Sequence, residues 1–299
     1  MNYKNITIAG SGVLGYQIAF QSAFHGFNVT VYDITDENLE KAKAKFSSLS
    51  LDYKNDLNAT QQQIEKTRQN LNYTSNLADA LKDADLLIEA VPENPTIKID
   101  FYKKVAKVAP EKTVFVTNSS TLLPSHFAEY TGRPSKFLAL HFANTIWIHN
   151  TAEIMGHDTT DPNVFKDVVA FAKAIGMLAL PLKKEQPGYI LNSLLVPLLS
   201  AATNLLVSEV ADPKTIDKTW MKATGAPLGP FGILDVVGIK TAYNINKIAA
   251  EETQDALKIK TVAYLKDNYI DKNKLGVSTG EGFYKYPNPA YKNSDFLEV

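Results

Sequence analysis

The sequence predicts an α/β domain with a doubly wound, mostly parallel sheet, followed by an all-α domain. Short strand-like runs, mostly apolar and the first two rich in β-branched residues, alternate with helical stretches as far as residue 182. The first two runs flank a Gly-rich turn, and the second of them ends on an acid. Beyond Gln186-Pro-Gly188 the alternation stops and long helical patterns take over. Alternating strands and helices imply a parallel sheet covered on both faces. The expected domains are 1–185 and 186–299.

Ile6 to Ala9 reads as a buried strand, and Gly10-Ser-Gly-Val-Leu-Gly15 follows it as G-x-G-x-x-G. A helix runs from Tyr16 to Phe24, Gly26 stops it, and a second strand ends at Asp33. Gly10 permits the tight turn, Gly12 lets a pyrophosphate approach the backbone, and Gly15 lets helix and strand pack closely. The helix N-terminus offers unpaired N–H groups and a positive dipole end. Asp33, 18 residues after Gly15, stands where an acid accepts hydrogen bonds from a ribose 2′-OH and repels a 2′-phosphate. No Arg follows it in Ile34-Thr35-Asp36, so NAD is favoured over NADP. The domain is therefore read as Rossmann-like, with Gly10, Gly12, Val13, Leu14, Gly15 and Asp33 as cofactor-binding candidates.

Asp36 is expected to cap a helix through Phe46, and the polar residues 47–70 contain a second helical pattern from Gln61 to Asn70. These predict a hairpin projecting from the domain, made basic by Lys41, Lys43, Lys45 and Lys54. Strands are expected at Leu71–Thr74, Asp85–Val91, Thr113–Thr117, Phe137–Leu140, Ala152–Met155 and Leu178–Leu182. Between them, Asn76 caps a short helix over Leu77–Leu81, and longer helices cover Ile97–Val108 and Phe165–Ile175. The second half predicts helices at Ile190–Val207, Pro213–Thr224, Ile239–Glu252 and Thr253–Asn268. Ile190–Val207 carries no charge, but its Asn, Ser, Thr and Pro residues argue for a core or interface helix rather than a membrane span. The tail from Lys274 to Tyr286 is Gly-rich and aromatic and reads as a loop packed on the domain.

The chain has 299 residues, a formal charge of −1 and no cysteine. That balance gives no overall field to recruit nucleic acid or a membrane surface. The absence of cysteine excludes disulfides and thiolate chemistry and suits the cytoplasm. The first strand begins within about five residues, leaving no room for a signal peptide. None of His25, His126, His149 and His157 has metal-site spacing, and no catalytic metal is expected.

Ligands of such sheets bind beyond the carboxyl ends of the strands. Gly10–Gly15, Val91–Glu93, Asn118–Ser120 and His141 each follow a strand and can share one rim. His141 is the general-base candidate for an alcohol losing hydride. Glu153 on the next strand can fix its tautomer and raise its basicity. Ser120 and Asn192 can bond a substrate oxygen, although either also suits a turn or cap.

Taken together, these residues resemble the L-3-hydroxyacyl-CoA dehydrogenase family over essentially the whole chain. The matching stretches are Gly10–Gly15, Glu89-Ala-Val-Pro-Glu-Asn94, Asn118-Ser-Ser-Thr121, and His141-Phe-Ala-Asn144 with Glu153 twelve residues on. Gln186-Pro-Gly-Tyr-Ile-Leu-Asn192 and Thr279-Gly-Glu-Gly-Phe-Tyr284 complete the set. The resemblance implies reversible oxidation of a short 3-hydroxyacyl-CoA, such as 3-hydroxybutyryl-CoA, with NAD. His141 then looks like the base and Glu153 its partner, while Ser120 and Asn192 hold substrate oxygens. Glu93, Lys98, Asn118 and Asn144 match cofactor contacts. The helical domain is implied to serve substrate closure and homodimerisation.

The sequence departs from the family at several points. His-Phe-Phe-Asn-Pro is replaced by His141-Phe-Ala-Asn-Thr145, and Ser278 stands where a Lys is common. The hairpin expected near coenzyme A is shortened. His141 to Ile148 is similar to a branch containing diketoreductase, and L-gulonate 3-dehydrogenase is another relative without CoA in its substrate. The alternative is therefore an NADH-dependent enzyme of free β-keto or β-hydroxy compounds. A nucleotide-binding protein without catalysis is disfavoured by His141 and Glu153.

Overall fold

The computed structural model describes residues 3–298. The chain divides into two compact units, Met1–Ile190 and Leu191–Val299.

The first unit is built on an eight-stranded sheet of order β3-β2-β1-β4-β5-β6-β7-β8. Its strands are β1 (Asn5–Ala9), β2 (Asn28–Tyr32), β3 (Leu71–Thr74), β4 (Leu86–Glu89), β5 (Val114–Thr117), β6 (Phe137–Phe142), β7 (Thr151–Met155) and β8 (Leu178–Pro181). All neighbours pair in parallel except β6 and β7, which pair antiparallel. Strands β4, β5 and β6 are buried along their whole length, as a sheet covered on both faces requires. Strand β1 bonds both β2 and β4, so the chain reverses its direction of winding there. That switch point lies beside the glycine turn.

Helix α1 (Val13–Phe24) buries Ile18, Ala19, Phe20 and Ala23 against the sheet. Helix α2 (Asp36–Leu57) is longer than its polar sequence suggested, because Phe46, Leu49 and Tyr53 continue a buried stripe. Its N-cap is Thr35, whose hydroxyl accepts the Asn38 N–H at 3.3 Å, and Asp36 is the first helical residue. Helix α3 (Gln61–Gln69) starts with a capping box from Thr60 and Gln63. The hairpin of α2 and α3 lies on the core through Phe20, Phe46, Tyr53 and Ile64 instead of projecting from it. Helices α4 (Leu77–Leu81), α5 (Pro95–Val108) and α6 (Pro162–Ala174) complete the layers.

The second unit is helical among its described residues: α7 (Leu191–Val207), α8 (Pro213–Thr224), α9 (Pro230–Val237), α10 (Ile239–Thr253) and α11 (Ala256–Leu265). The short α9 escaped the sequence reading, since it starts on Pro230 and carries Gly232. Phe231, Leu234, Ile239 and Leu265 form the centre of its core. Two buried aspartates organise the rest. Asp217 accepts the N–H groups of Phe231 at 2.9 Å and Gly232 at 3.0 Å, and the Tyr284 hydroxyl at 2.8 Å. Asp235 accepts the N–H groups of Phe283 at 2.9 Å and Tyr284 at 2.8 Å, and the Tyr286 hydroxyl at 3.1 Å. A Cβ on Gly282 would collide with the Asp235 carboxylate, which is why the tail needs glycine there. No described helix is long and apolar enough to cross a membrane.

Candidate active site

The glycine turn fits a dinucleotide by exclusion and by openness. A Cβ on Gly10, at φ +98°, would stand 2.5 Å from the Ala90 carbonyl oxygen. A Cβ on Gly15 would collide with the Gly10 carbonyl. A Cβ on Gly12, in contrast, meets nothing within 4 Å, so the space over that residue is open. Gly12 caps α1 without a side-chain bond, which leaves the first-turn amides at Val13 and Leu14 to face an anion.

Asp33 ends the second strand region as a tightly held acceptor. Its Oδ2 receives the Ser11 N–H at 2.8 Å and the Ser11 hydroxyl at 2.6 Å. Its Oδ1 receives the Ile34 N–H and the Asn38 amide, both at 2.8 Å. Burial alone would raise its pKa, but the Ser11 and Asn38 bonds outweigh that and hold it below the usual range. The carboxylate is therefore fixed in place, with the geometry of an acceptor suited to a ribose hydroxyl. Ser11 and Asn38 are part of this site, and the G-x-G-x-x-G pattern does not reveal either.

A charged network lies beneath the middle of the rim. Glu89 on β4 is fully buried, and the Lys98 ammonium from α5 stands 2.6 Å from its Oε1. The hydroxyls of Tyr102 and Thr117 both donate to Glu89 Oε2 at 2.8 Å. Lys98 also lies 3.4 Å from Glu93 Oε2. Glu93 Oε1 accepts the Ser119 hydroxyl at 2.5 Å, and the Ser120 N–H, Thr121 N–H and Thr121 hydroxyl, each at 3.0 Å. Burial opposes its charge, but the Ser119 hydroxyl, Lys98 and Thr121 prevail and lower its pKa. Lys98 is only 1% exposed, so it acts beneath the surface through Glu89 and Glu93. A lysine on an amphipathic helix reads as solvated, and nothing local in the sequence marks it as buried.

His141 and Glu153 sit opposite each other on the antiparallel strands β6 and β7. His141 Nδ1 lies 3.1 Å from Glu153 Oε2, and Nε2 lies 3.2 Å from the Ser120 hydroxyl. The carboxylate can only accept, so the network assigns the proton to Nδ1 and leaves a lone pair on Nε2. The other oxygen of Glu153 accepts the Ile190 N–H at 2.9 Å. The Tyr189 ring lies flat on the imidazole, with centroids 4.5 Å apart and planes at 13°. Asn118 ties the rim together, its Oδ1 accepting the Phe142 N–H at 3.0 Å. Asn144 is exposed on the loop after β6.

His141, Glu153, Ser120, Glu93 and Lys98 are thus brought into one hydrogen-bonded chain. Asn192 is the second residue of α7, in the helical unit. Tyr189 is the main residue that the sequence reading passed over. The Pro187-Gly188 turn signals a bend at that point, but not what the next side chain touches.

This arrangement agrees with three kinds of comparison. The model of the 3-hydroxyacyl-CoA dehydrogenase NAD-binding domain matches residues 5–186, and that of the C-terminal domain matches residues 188–286. The human mitochondrial hydroxyacyl-coenzyme A dehydrogenase is 32% identical over 289 residues, covering 95% of this chain and 91% of that protein. A probable 3-hydroxybutyryl-CoA dehydrogenase of Bacillus subtilis is 28% identical and covers 96% of this chain and 98% of that protein. Among solved structures, a diketoreductase described as acting on dicarbonyl compounds superposes with a TM-score of 0.91 at 55% identity, covering 96% of this chain and all of that one. The (S)-3-hydroxybutyryl-CoA dehydrogenase of Ralstonia eutropha superposes with a TM-score of 0.83 at 25% identity, covering 96% and 100%. The chain belongs to the 3-hydroxyacyl-CoA dehydrogenase family and is an NAD-dependent oxidoreductase.

Proposed function

We propose that the protein interconverts a short 3-hydroxyacyl-CoA and its 3-ketoacyl-CoA, with His141 exchanging the proton of the C3 oxygen. The observation that carries this reading is the His141 imidazole held between Glu153 and Ser120 on the rim that also bears the glycine turn. Bound NAD supplies the hydride acceptor or donor. Gly10, Gly12, Val13, Leu14, Gly15 and Asp33 hold its phosphates and adenine ribose. Glu93 and Lys98, with Asn118 and Asn144, shape the rim on the nicotinamide side. In oxidation, His141 Nε2 takes the hydroxyl proton while the Ser120 hydroxyl donates a hydrogen bond to a substrate oxygen. The Glu153 carboxylate stabilises the imidazolium that forms.

A second reading keeps this chemistry on a β-dicarbonyl compound without coenzyme A. The 55% identity to the diketoreductase favours it, and so does the loop after His141. Thr145 has φ +60°, which proline cannot adopt. Its N–H and that of Ile146 bond the Gln17 Oε1 at 2.9 and 3.3 Å, a clamp that a proline at 145 would lack. The loop therefore takes a course different from one that ends in Asn-Pro. NADH oxidation with acetoacetyl-CoA and ethyl acetoacetate, measured side by side, separates the readings. We expect a large kcat/KM advantage for the thioester, because binding of its remote portion is used at the reacting carbon. An equal or greater rate with the ester sinks the thioester reading and establishes the second.

The helical unit is proposed to form a homodimer of a cytoplasmic enzyme. Leu194, Val236 and Ile248 are each more than half exposed on the single chain, an apolar surface suited to a second copy. Sedimentation as a monomer at micromolar concentration would exclude this assembly.

A further inference from the structure

Tyr189 is 1% exposed, and its backbone sits at φ +55°. A bulky residue enters that region only where its surroundings hold it there. Three contacts do so. The ring is stacked on His141, the hydroxyl donates to the Ser119 carbonyl oxygen at 2.8 Å, and the neighbouring Ile190 N–H donates to Glu153 at 2.9 Å. One dipeptide thereby touches the imidazole, its carboxylate partner and the backbone just before Ser120.

We propose that Tyr189 is a positioning residue that fixes the plane of the His141 imidazole and stabilises its protonated form during turnover. The inference rests on the reading of His141 as the group that exchanges a proton with substrate. When the imidazole takes that proton, its positive charge lies over the electron-rich face of the phenol. Neutral imidazole gains less from the same stacking. The hydroxyl bond to Ser119 also fixes the approach of the next residue, Ser120, to Nε2. Burial, reinforced by Glu93, Glu153, Glu89 and Glu185, raises the phenol pKa, so Tyr189 stays neutral and is not itself the proton donor. The other groups facing the imidazole are Glu153 from β7 and Ser120 from the loop after β5. Glu93 accepts the Ser120 N–H, and Lys98 lies behind Glu93.

The test uses the full-length protein with NADH bound and its five histidines labelled with ¹⁵N, His141 being assigned by the H141Q variant. Three replacements at position 189 are compared: Y189F, Y189L and 4-cyanophenylalanine, which keeps a ring of tyrosine-like shape but withdraws electrons from it. For Y189L and the cyano variant, the His141 titration curve and the basic limb of the kcat/KM profile for ketone reduction should both move about half a unit to lower pH. Y189F should leave both curves in place and lower kcat/KM about tenfold through a looser Ser120. Curves within about 0.2 units of wild type for the cyano variant would overturn the proposal, even if Y189L does not fold. A shift in Y189F equal to that in the cyano variant would also overturn it, by placing the effect in the hydroxyl. The ring titration needs no turnover. A wild-type protein that reduced neither test ketone would refute the proposed function and leave the role of Tyr189 to be decided by the titration.

Discussion

In the nucleotide unit, the buried carboxylate Glu89 is held mainly by the side chains of Lys98, Tyr102 and Thr117, and Glu153 by the His141 imidazole together with the Ile190 N–H. In the helical unit, Asp217 and Asp235 are held mainly by backbone N–H groups of α9 and the tail, with tyrosine hydroxyls added. Side-chain partners can reorient and can be exchanged for a ligand atom, so a carboxylate held this way can take part in chemistry. Backbone partners are fixed by the chain's path, so a carboxylate held that way fixes the path in return. Glu93 has both kinds of partner, and it stands where the network meets the open rim.

A crossed pair of substitutions tests this division at its largest effect. Glu153→Gln should reduce kcat by ~10²–10⁴-fold by removing the charge that supports the imidazolium, with thermal stability nearly unchanged. Asp217→Asn should do the reverse. Its NH₂ cannot accept from a backbone N–H, and either orientation of the amide sets it against one, because both oxygens of Asp217 accept from the backbone. We expect a loss of about 1–3 kcal/mol in denaturant unfolding, with kcat per folded molecule within about twofold of wild type. If Asp217→Asn instead lost activity at full stability, the backbone-held aspartate would belong to the site and the division would fail.

Acid should separate the two units by a smaller margin. Asp33, Asp85 and Glu93 have pKa values lowered in the fold, because their hydrogen bonds and cations outweigh burial. Their contribution is present above the ordinary values of 3.8 and 4.5, and it is lost as pH falls through the lower folded values. Asp217 and Asp235 have pKa values raised by burial. Their contribution is complete below 3.8 and declines as pH rises through the folded values. Through these five groups, acidification weakens the nucleotide unit more than the helical unit, although Asp212 and Glu281 in the helical unit are lowered as well and Asp52 in the nucleotide unit is raised. The chain has two tryptophans, Trp147 in the first unit and Trp220 in the second. In single-tryptophan variants, the Trp147 fluorescence transition should fall at a pH about half a unit above that of Trp220. Coincident or reversed transitions would break the comparison.

The strands were legible because each is a short run, mostly apolar and often β-branched, set off by turns or helical patterns. The far half of α2 was not, since Phe46, Leu49 and Tyr53 are spaced among polar residues that face outward. His141 and Glu153 could be paired from sequence because both lie on apolar strand patterns one hairpin apart. Tyr189 and Lys98 could not. Each owes its role to a contact between elements: the Tyr189 hydroxyl reaches Ser119, 70 positions earlier, and the Lys98 ammonium on α5 meets Glu89 on β4. Local pattern records which face of an element is buried, but not which partner waits there.

The pairing of His141 with Glu153 is a matter of strand register. The two residues face each other because β6 and β7 run antiparallel, and residues 143–150 only close the hairpin between them. Residues can be inserted or exchanged in that connection without separating the pair, whereas a slip of one position within either strand would turn one partner to the opposite face. On the proposed function, proton chemistry and substrate choice thus lie on separate stretches of chain. A lineage can redraw its loop after His141, as the Thr145 turn illustrates, and pass the same acid–base pair to descendants that work on different carbonyl compounds.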